Sequence, residues 1–250
     1  MIVVRPKGIL GTPERISDAV SARLRKYPNE RFPNRVFDYR TDFFMTNVRT
    51  EHVRNAPDEY RRVSEFFTQN KYGQRRLLHE AGIPVPRVAA GHTQARELTG
   101  TRFVVRPLRH SKGQNYRVTE NPVDFIPQQE YISELYPKKR EYRVIFVYGS
   151  PLIVLRKKPN EGVSDAEPWG HENSRFQTIN DVAGSRLAGT DCFWHLAHHP
   201  VIASSHIVAV DILYNSKHPD RYVVLEYNQC PGIDITGNLQ RVVEAIRNHG

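Results

Sequence analysis

The apolar spacing changes character near residue 85. Before it the pattern is mostly helical. Ile16, Ala19, Val20 and Leu24 recur at three- and four-residue steps, which predicts a helix over 16–24. Residues 57–81 read the same way with a break near Asn70, and Gly82, Pro84 and Pro86 stop that helix. Short strands are expected at 2–5 and within 34–50, where Val36, Phe37, Phe43, Phe44 and Val48 alternate weakly. After residue 85 strands dominate: 103–106, 116–118, 129–132, then 141–148 and 151–156 joined by Gly149-Ser150. Residues 159–176 read as a long polar loop, and 185–204 as partly helical with Pro200 as a break. Two strongly apolar strands, 207–214 and 222–228, precede a closing helix over 236–248 with Leu239, Val242, Val243 and Ile246 on one face. Strand pairs mixed with helices, without regular βαβ alternation, give an α+β class.

A chain of 250 residues can build one large or two small cores. Its 39% hydrophobic and 25% charged content suits a soluble globular protein, and no apolar run is long enough to span a bilayer, so no membrane partner is expected. The start, Met1 to Pro6, has neither the length nor the cleavage site of a signal peptide. Cys192 and Cys230 are too few for a disulfide framework. A cytoplasmic, reducing location is expected. The net charge of +9 suits three kinds of partner: nucleic acid, a nucleotide, or an acidic peptide.

Candidate chemistry concentrates on the last strand pair. Glu226 and Asn228 share a strand face by alternation. Asp211 joins them if paired residue numbers across the hairpin sum to an odd value. Three oxygen donors would then converge, as Mg²⁺ requires, with phosphates completing its coordination. The apolar flanks 208–210 and 223–225 argue for a buried hairpin, where acids need partners. Two further groups are candidates for phosphate contact: Arg106 at a strand end beside the Lys112-Gly113 loop, and Glu141 with Arg143 on one face opposite Arg156-Lys157-Lys158. Each of these has an ordinary reading too, as a strand end and a surface ion-pair ladder. His195 and His199 stand four apart but lack a third ligand, so they read as surface or packing residues. Trp169, His171, Asn173 and Arg175 form either a flap or a linker.

These pieces occur in an order that resembles the ATP-grasp enzymes. Asn70-Lys71 through Ala81-Gly82-Ile83-Pro84-Val85-Pro86 resembles the family's helix that a Lys begins and an "AGIPVP" run ends. The 103–107 strand with Gly113 resembles its strand and phosphate-covering loop, and Gln129-Glu130-Tyr131-Ile132 resembles the hinge that receives adenine. Asp211-Ile212-Leu213 with Glu226-Tyr227-Asn228-Gln229-Cys230-Pro231-Gly232 resembles its metal-binding hairpin. The subgroup most similar is that of ribosomal-protein glutamate ligases and related amino-acid ligases, over about residues 66–249.

The resemblance implies an ATP-grasp fold with a short N-terminal α/β region (1–65), a small subdomain (66–128) and a C-terminal subdomain carrying the metal site (129–250). It implies binding of ATP with Mg²⁺, or Mn²⁺ in its place. Lys71, Arg106, Lys112 and Gly113 would serve the phosphates, and Glu130, Tyr131 and Ile132 the adenine. Glu141 would hold the ribose, Arg143 and Arg156 the γ-phosphate and acyl phosphate, and Asp211, Glu226 and Asn228 the metal. Arg106 stands where the family usually has Lys. The implied reaction is ADP-forming ligation of a carboxylate to an amine on an amino acid, peptide or macromolecule. An ATP-dependent kinase, or a non-catalytic basic nucleic-acid-binding scaffold on the same fold, are the alternatives. The substrate and the oligomeric state do not follow from the resemblance.

Overall fold

In a computed structural model of the protein, the described residues are 2–4, 11–21, 23–25, 36–38, 63, 65–67, 69–109, 115–164, 168–169, 172–179, 182–229, 231–233 and 237–249. Strands expected at 43–48, together with Lys112, Gly113, His171 and Cys230, lie outside them.

Three sheets form. The first is parallel and small: β1 (Ile2–Val4) lies between β2 (Arg23–Arg25) and β3 (Val36–Asp38). The second is antiparallel, built from β4 (Val88–Ala89), β5 (Phe103–Pro107), β6 (Arg117–Thr119) and β7 (Glu130–Glu134) in the order β4-β7-β5-β6. The third is a five-stranded antiparallel sheet of β8 (Arg140–Val147), β9 (Ser150–Pro159), β10 (Ser174–Ile179), β11 (Ile207–Tyr214) and β12 (Tyr222–Asn228), in the order β10-β9-β8-β11-β12. Antiparallel meanders with helices segregated to their faces are the expected α+β class.

Two expectations shift. The first helix is Thr12–Ala19 rather than 16–24. Gly11 (φ 84) turns the chain and Pro13 suits the first helical turn, so the helix begins early and Leu24 passes to β2. The 159–176 loop is also shorter than expected at its far end, because β10 begins at Ser174 and pairs with the extended β9. The break at Asn70 is a helix start: its side chain accepts a hydrogen bond from Gly73 N at 2.8 Å and caps the Lys71–Glu80 helix. Gly82 (φ 76) closes that helix in the left-handed region.

Both faces of the large sheet are covered for part of their length. One face carries Tyr142, Val144, Val154, Val210, Ile212 and Tyr227, with Leu78 and Leu196 from the Lys71–Glu80 and Cys192–His198 helices above them. The other carries Ile145, Ile153, Leu155 and Ala209, closed by Val242 and Ile246 of the Asn238–Asn248 helix and by Ile16 of the first helix. Between this apolar patch and the Leu213–Val223 pair beside the β11–β12 turn, the same face carries a band of charged residues, and the candidate site lies there.

His199 is a packing residue rather than a ligand. Its ring meets Tyr227 and Phe66 edge-on at 5.3 and 6.1 Å, and burial lowers its pKa to about 4. The unfolded chain therefore takes up the proton first as pH falls, so stability is full above about pH 6.5 and is lost toward pH 4. Urea unfolding at pH 7 and pH 4.5 is expected to show about 2–3 kcal/mol less acid loss in His199→Phe than in the parent chain. An equal loss in both would remove the assignment.

Candidate functional site

The charged end of the large sheet is set by two irregularities in register. From its turn the β11–β12 hairpin pairs Leu213 with Val223 and Ile212 with Val224, and then shifts so that Asp211 faces Glu226 and Ala209 faces Asn228. Leu225 is the extra residue of this bulge. Without the shift Asp211 would have met Leu225. With it, Asp211, Glu226 and Asn228 stand on one face, the odd-sum arrangement that the sequence left conditional. The second irregularity lies in the β8–β9 hairpin, which pairs Phe146 with Pro151 near the turn but Ile145 with Ile153 beyond it, leaving Leu152 extra.

This second bulge corrects the expectation for Arg156. It pairs with Tyr142, whose ring belongs to the core of the opposite face, so alternation carries Arg156 away from Arg143. Lys157 takes the expected place, opposite Glu141. Unshifted register would have put Arg156 there, and the sequence carries no signal for the slip.

The face is a network of ion pairs. Arg143 lies beside Asp211 across β8–β11 and grips it at two points, Nε to Oδ1 at 2.7 Å and Nη2 to Oδ2 at 2.8 Å. Asn228 Nδ2 donates to Asp211 Oδ2 at 2.9 Å, which leaves its own amide oxygen available. Lys71, at the start of its helix, reaches Glu226 Oε2 at 3.4 Å and donates to Tyr227 O at 3.2 Å. Lys157 Nζ sits 2.7 Å from Glu141 Oε1 and also donates to Trp169 O. Burial pushes the Glu141 carboxyl above its ordinary range, against the pull of Lys157. Burial works against the Arg143 charge, but Asp211, Glu226 and Glu141 outweigh it and raise its pKa.

A second cationic group stands nearby. Arg75 is buried on the Lys71–Glu80 helix and donates from Nε to Leu225 O, the carbonyl at the bulge, at 2.9 Å. Its guanidinium lies 5.4 Å from the Tyr131 ring centroid. Burial pushes the Arg75 pKa down and the charge of Arg106 adds to this, while Glu226 pulls it up. Arg106 is the last residue but one of β5, with its guanidinium over Tyr116 at 5.6 Å. Among the described residues, Arg75 Nη1 and Arg106 Nε are buried donors without an acceptor. Such donors call for an anion. Arg75 was missed in the sequence because its spacing with Leu78 marks it only as a helix residue facing inward.

Residues 130–132, expected at the adenine, lie inside the small sheet. Glu130 is held by Arg117 through both oxygens, at 2.5 and 2.9 Å, and by Ile126 N. Ile132 lies in the core of the small sheet with Phe103, Val105 and Phe125, and Tyr131 is fully buried. β7 stays in its ladder through Glu134, opposite Phe103. The chain leaves the ladder after Glu134, two residues past the motif's Ile132, and there a cavity of about 720 Å³ opens, lined by Glu134, Leu135, Tyr136, Lys138, Arg102 and Val223 among others. That volume suits a small ligand.

Trp169 closes one side of the charged face. It is 7% exposed, with Lys138 Nζ 4.1 Å from its ring centroid and its Nε1 donating to Ser164 O at 3.1 Å. Tyr116 OH donates to Pro168 O at 3.0 Å, so β6 and this segment are tied together. Arg175 is exposed on β10 opposite Lys158. His195 bonds Tyr222 OH at 2.8 Å and does not share a ligand with His199.

The donor set fits a hard divalent cation: two carboxylates and an amide oxygen on one face, with cations beside them for phosphate. Among the described residues no group of three or more His, Cys, Asp or Glu gathers. A cation here would thus complete its shell from phosphate and water, as Mg²⁺ does.

No protein-family model matches the chain, and no curated protein does. Solved structures do. The ATP-grasp ligase PsnB complexed with a minimal precursor is similar over 100% of this chain and 99% of its own, with a TM-score of 0.59 and 14% identity. The D-alanine–D-alanine ligase of Bacillus anthracis, complexed with ATP, matches over 100% and 98%, with a TM-score of 0.56 and 13% identity. The macrocyclase MdnC of Microcystis aeruginosa MRC, bound with precursor peptide MdnA, matches over 99% of each chain, with a TM-score of 0.55 and 13% identity. The chain has the ATP-grasp fold.

Proposed function

We propose that the protein is an ATP-dependent ligase that joins a carboxylate to an amine, releasing ADP and phosphate. The observation that carries the reading is the convergence of Asp211, Glu226 and Asn228 on one sheet face beside Arg143 and Lys71. The ATP-grasp fold supports it, since the solved structures it resembles include one ligase complexed with ATP and another complexed with a precursor peptide.

In this reading the base occupies the cavity at 134–138, and Glu141 with Lys157 stands toward the ribose and phosphates. Arg75, Arg106 and Lys71 neutralise the phosphate chain, two of them through donors that have no acceptor among the described residues. A divalent cation held by Asp211, Glu226 and Asn228 would draw negative charge off the transferring phosphoryl group. The γ-phosphoryl group passes to a carboxylate oxygen, giving an acyl phosphate, and the amine then displaces phosphate at the acyl carbon. Arg143 is placed to stabilise the oxyanion of that second step. No serine or cysteine nucleophile is needed. The acceptor proposed is an amino acid, a peptide or an amine-bearing macromolecule.

A matrix of amino acids, peptides and polyamines, assayed for ADP and phosphate release, tests the reaction class. Release that requires an acid and an amine together is the expected result. Transfer of phosphate to a stable product without any amine would instead identify a kinase. Salt-sensitive binding to nucleic acid with no turnover on any pair would identify a scaffold.

A further inference from the structure

We infer that Arg143 and Lys71 stand in for the divalent cation in the ligand-free protein, so that the metal is admitted only together with the nucleotide. The inference rests on the reading of Asp211, Glu226 and Asn228 as metal ligands and concerns how that site is regulated.

Both oxygens of Asp211 are already engaged. Oδ1 accepts Arg143 Nε at 2.7 Å, and Oδ2 accepts Arg143 Nη2 at 2.8 Å and Asn228 Nδ2 at 2.9 Å. Glu226 faces Lys71 at 3.4 Å. Two cations balance two carboxylates, and Asp211 is only 7% exposed, so the Arg143 contact is a charge-assisted, two-point bond shielded from solvent. A free divalent cation gains Asp211 only by breaking that bond. It would then sit beside the displaced guanidinium and ammonium groups, with Arg75 close to Glu226 adding a third positive charge. The polyphosphate of a nucleotide removes this penalty. It brings anionic oxygens that Arg143 and Lys71 accept in exchange for the carboxylates they release. Arg143 therefore has two partners in sequence, Asp211 without ligand and phosphate with it. The guanidinium fork matches both geometries.

Three consequences follow in binding rather than in catalysis. The protein takes free metal weakly, a nucleotide analogue tightens it, and loss of the Arg143 fork frees Asp211 for metal alone. The test is a Mn²⁺ titration read by the paramagnetic resonance signal of unbound Mn²⁺, with and without a non-hydrolysable ATP analogue. The chain, Arg143→Gln and Arg143→Lys are compared, with circular dichroism confirming the fold. For the unaltered chain, the analogue is expected to tighten Mn²⁺ by about tenfold or more. Arg143→Gln is expected to bind Mn²⁺ alone about tenfold more tightly than the unaltered chain, and so to gain correspondingly less from the analogue. Arg143→Lys falls between them. If Arg143→Gln does not fold, Lys71→Met tests the Glu226 half of the exchange by the same titration, with tighter binding of Mn²⁺ alone expected. Mn²⁺ binding no tighter in these variants, with the analogue still recruiting Mn²⁺ to the unaltered chain, overturns the inference and leaves the metal site standing. An absence of Mn²⁺ binding even with the analogue overturns both.

Discussion

Glu226→Ala is expected to lower ATP turnover at least about a hundredfold while leaving the fold in place, on the scale seen when one charge-stabilising group is removed from a site. The residue is half-buried at the charged end of β12, outside the apolar clusters, and it pairs with the Lys71 ammonium. A partly exposed pair at 3.4 Å contributes about 1 kcal/mol, so the melting temperature should move little. The account assigns Glu226 a different importance in the loaded site, where its carboxylate meets the metal. The measurement is phosphate release at saturating ATP beside a thermal melt. Turnover unchanged in a folded variant would remove Glu226 from the site.

Lys157→Met is expected to act on stability as well as activity. Its ammonium is 2.7 Å from Glu141 Oε1, and their side chains are 13% and 7% exposed. Removing one partner of a buried pair leaves an uncompensated charge and costs about 3–5 kcal/mol. Glu141 relieves part of this by holding its proton, since burial already raises its pKa. A carboxyl whose folded pKa is raised binds more protons folded than unfolded, so the deficit of the variant should shrink as pH falls and grow as it rises. Urea unfolding at pH 8 and pH 5.5 checks both magnitude and direction. The companion Glu141→Leu, Lys157→Met double variant is expected to recover most of the loss, because it removes the stranded charge along with its partner. A double variant as unstable as the single one would mean that Lys157 acts through Trp169 rather than through Glu141.

Much of the large sheet was legible because its residues leave little choice. Val208-Ala209-Val210 and Val223-Val224-Leu225 can be satisfied only by burial, and β11 and β12 fall on the expected residues. The joining of Asp211 to Glu226 and Asn228 was legible only as a condition on register. A bulge decides that condition, and a bulge depends on tertiary contacts such as the Arg75 bond to Leu225 O. The same physics defeated the reading of Arg156. One extra residue at Leu152 exchanges Arg156 for Lys157 on the site face, while Leu152 itself looks like any strand residue. The proposed base site departs from the hinge resemblance for a related reason. Glu130-Tyr131-Ile132 resembles a hinge in sequence, but β7 remains paired past it and opens only after Glu134. The first helix failed on local chemistry, because Gly11 and Pro13 outweighed the spacing of Leu24.

The account depends on a cation and a nucleotide meeting at Asp211, Glu226 and Asn228. Crystals grown with Mn²⁺ and a non-hydrolysable ATP analogue, measured for anomalous scattering, address it most directly. The account predicts a manganese peak between these three side chains, with the analogue's phosphates turned toward Arg143 and Lys71 and its base in the cavity at 134–138. A nucleotide bound elsewhere, or a manganese peak away from all three residues, would contradict it.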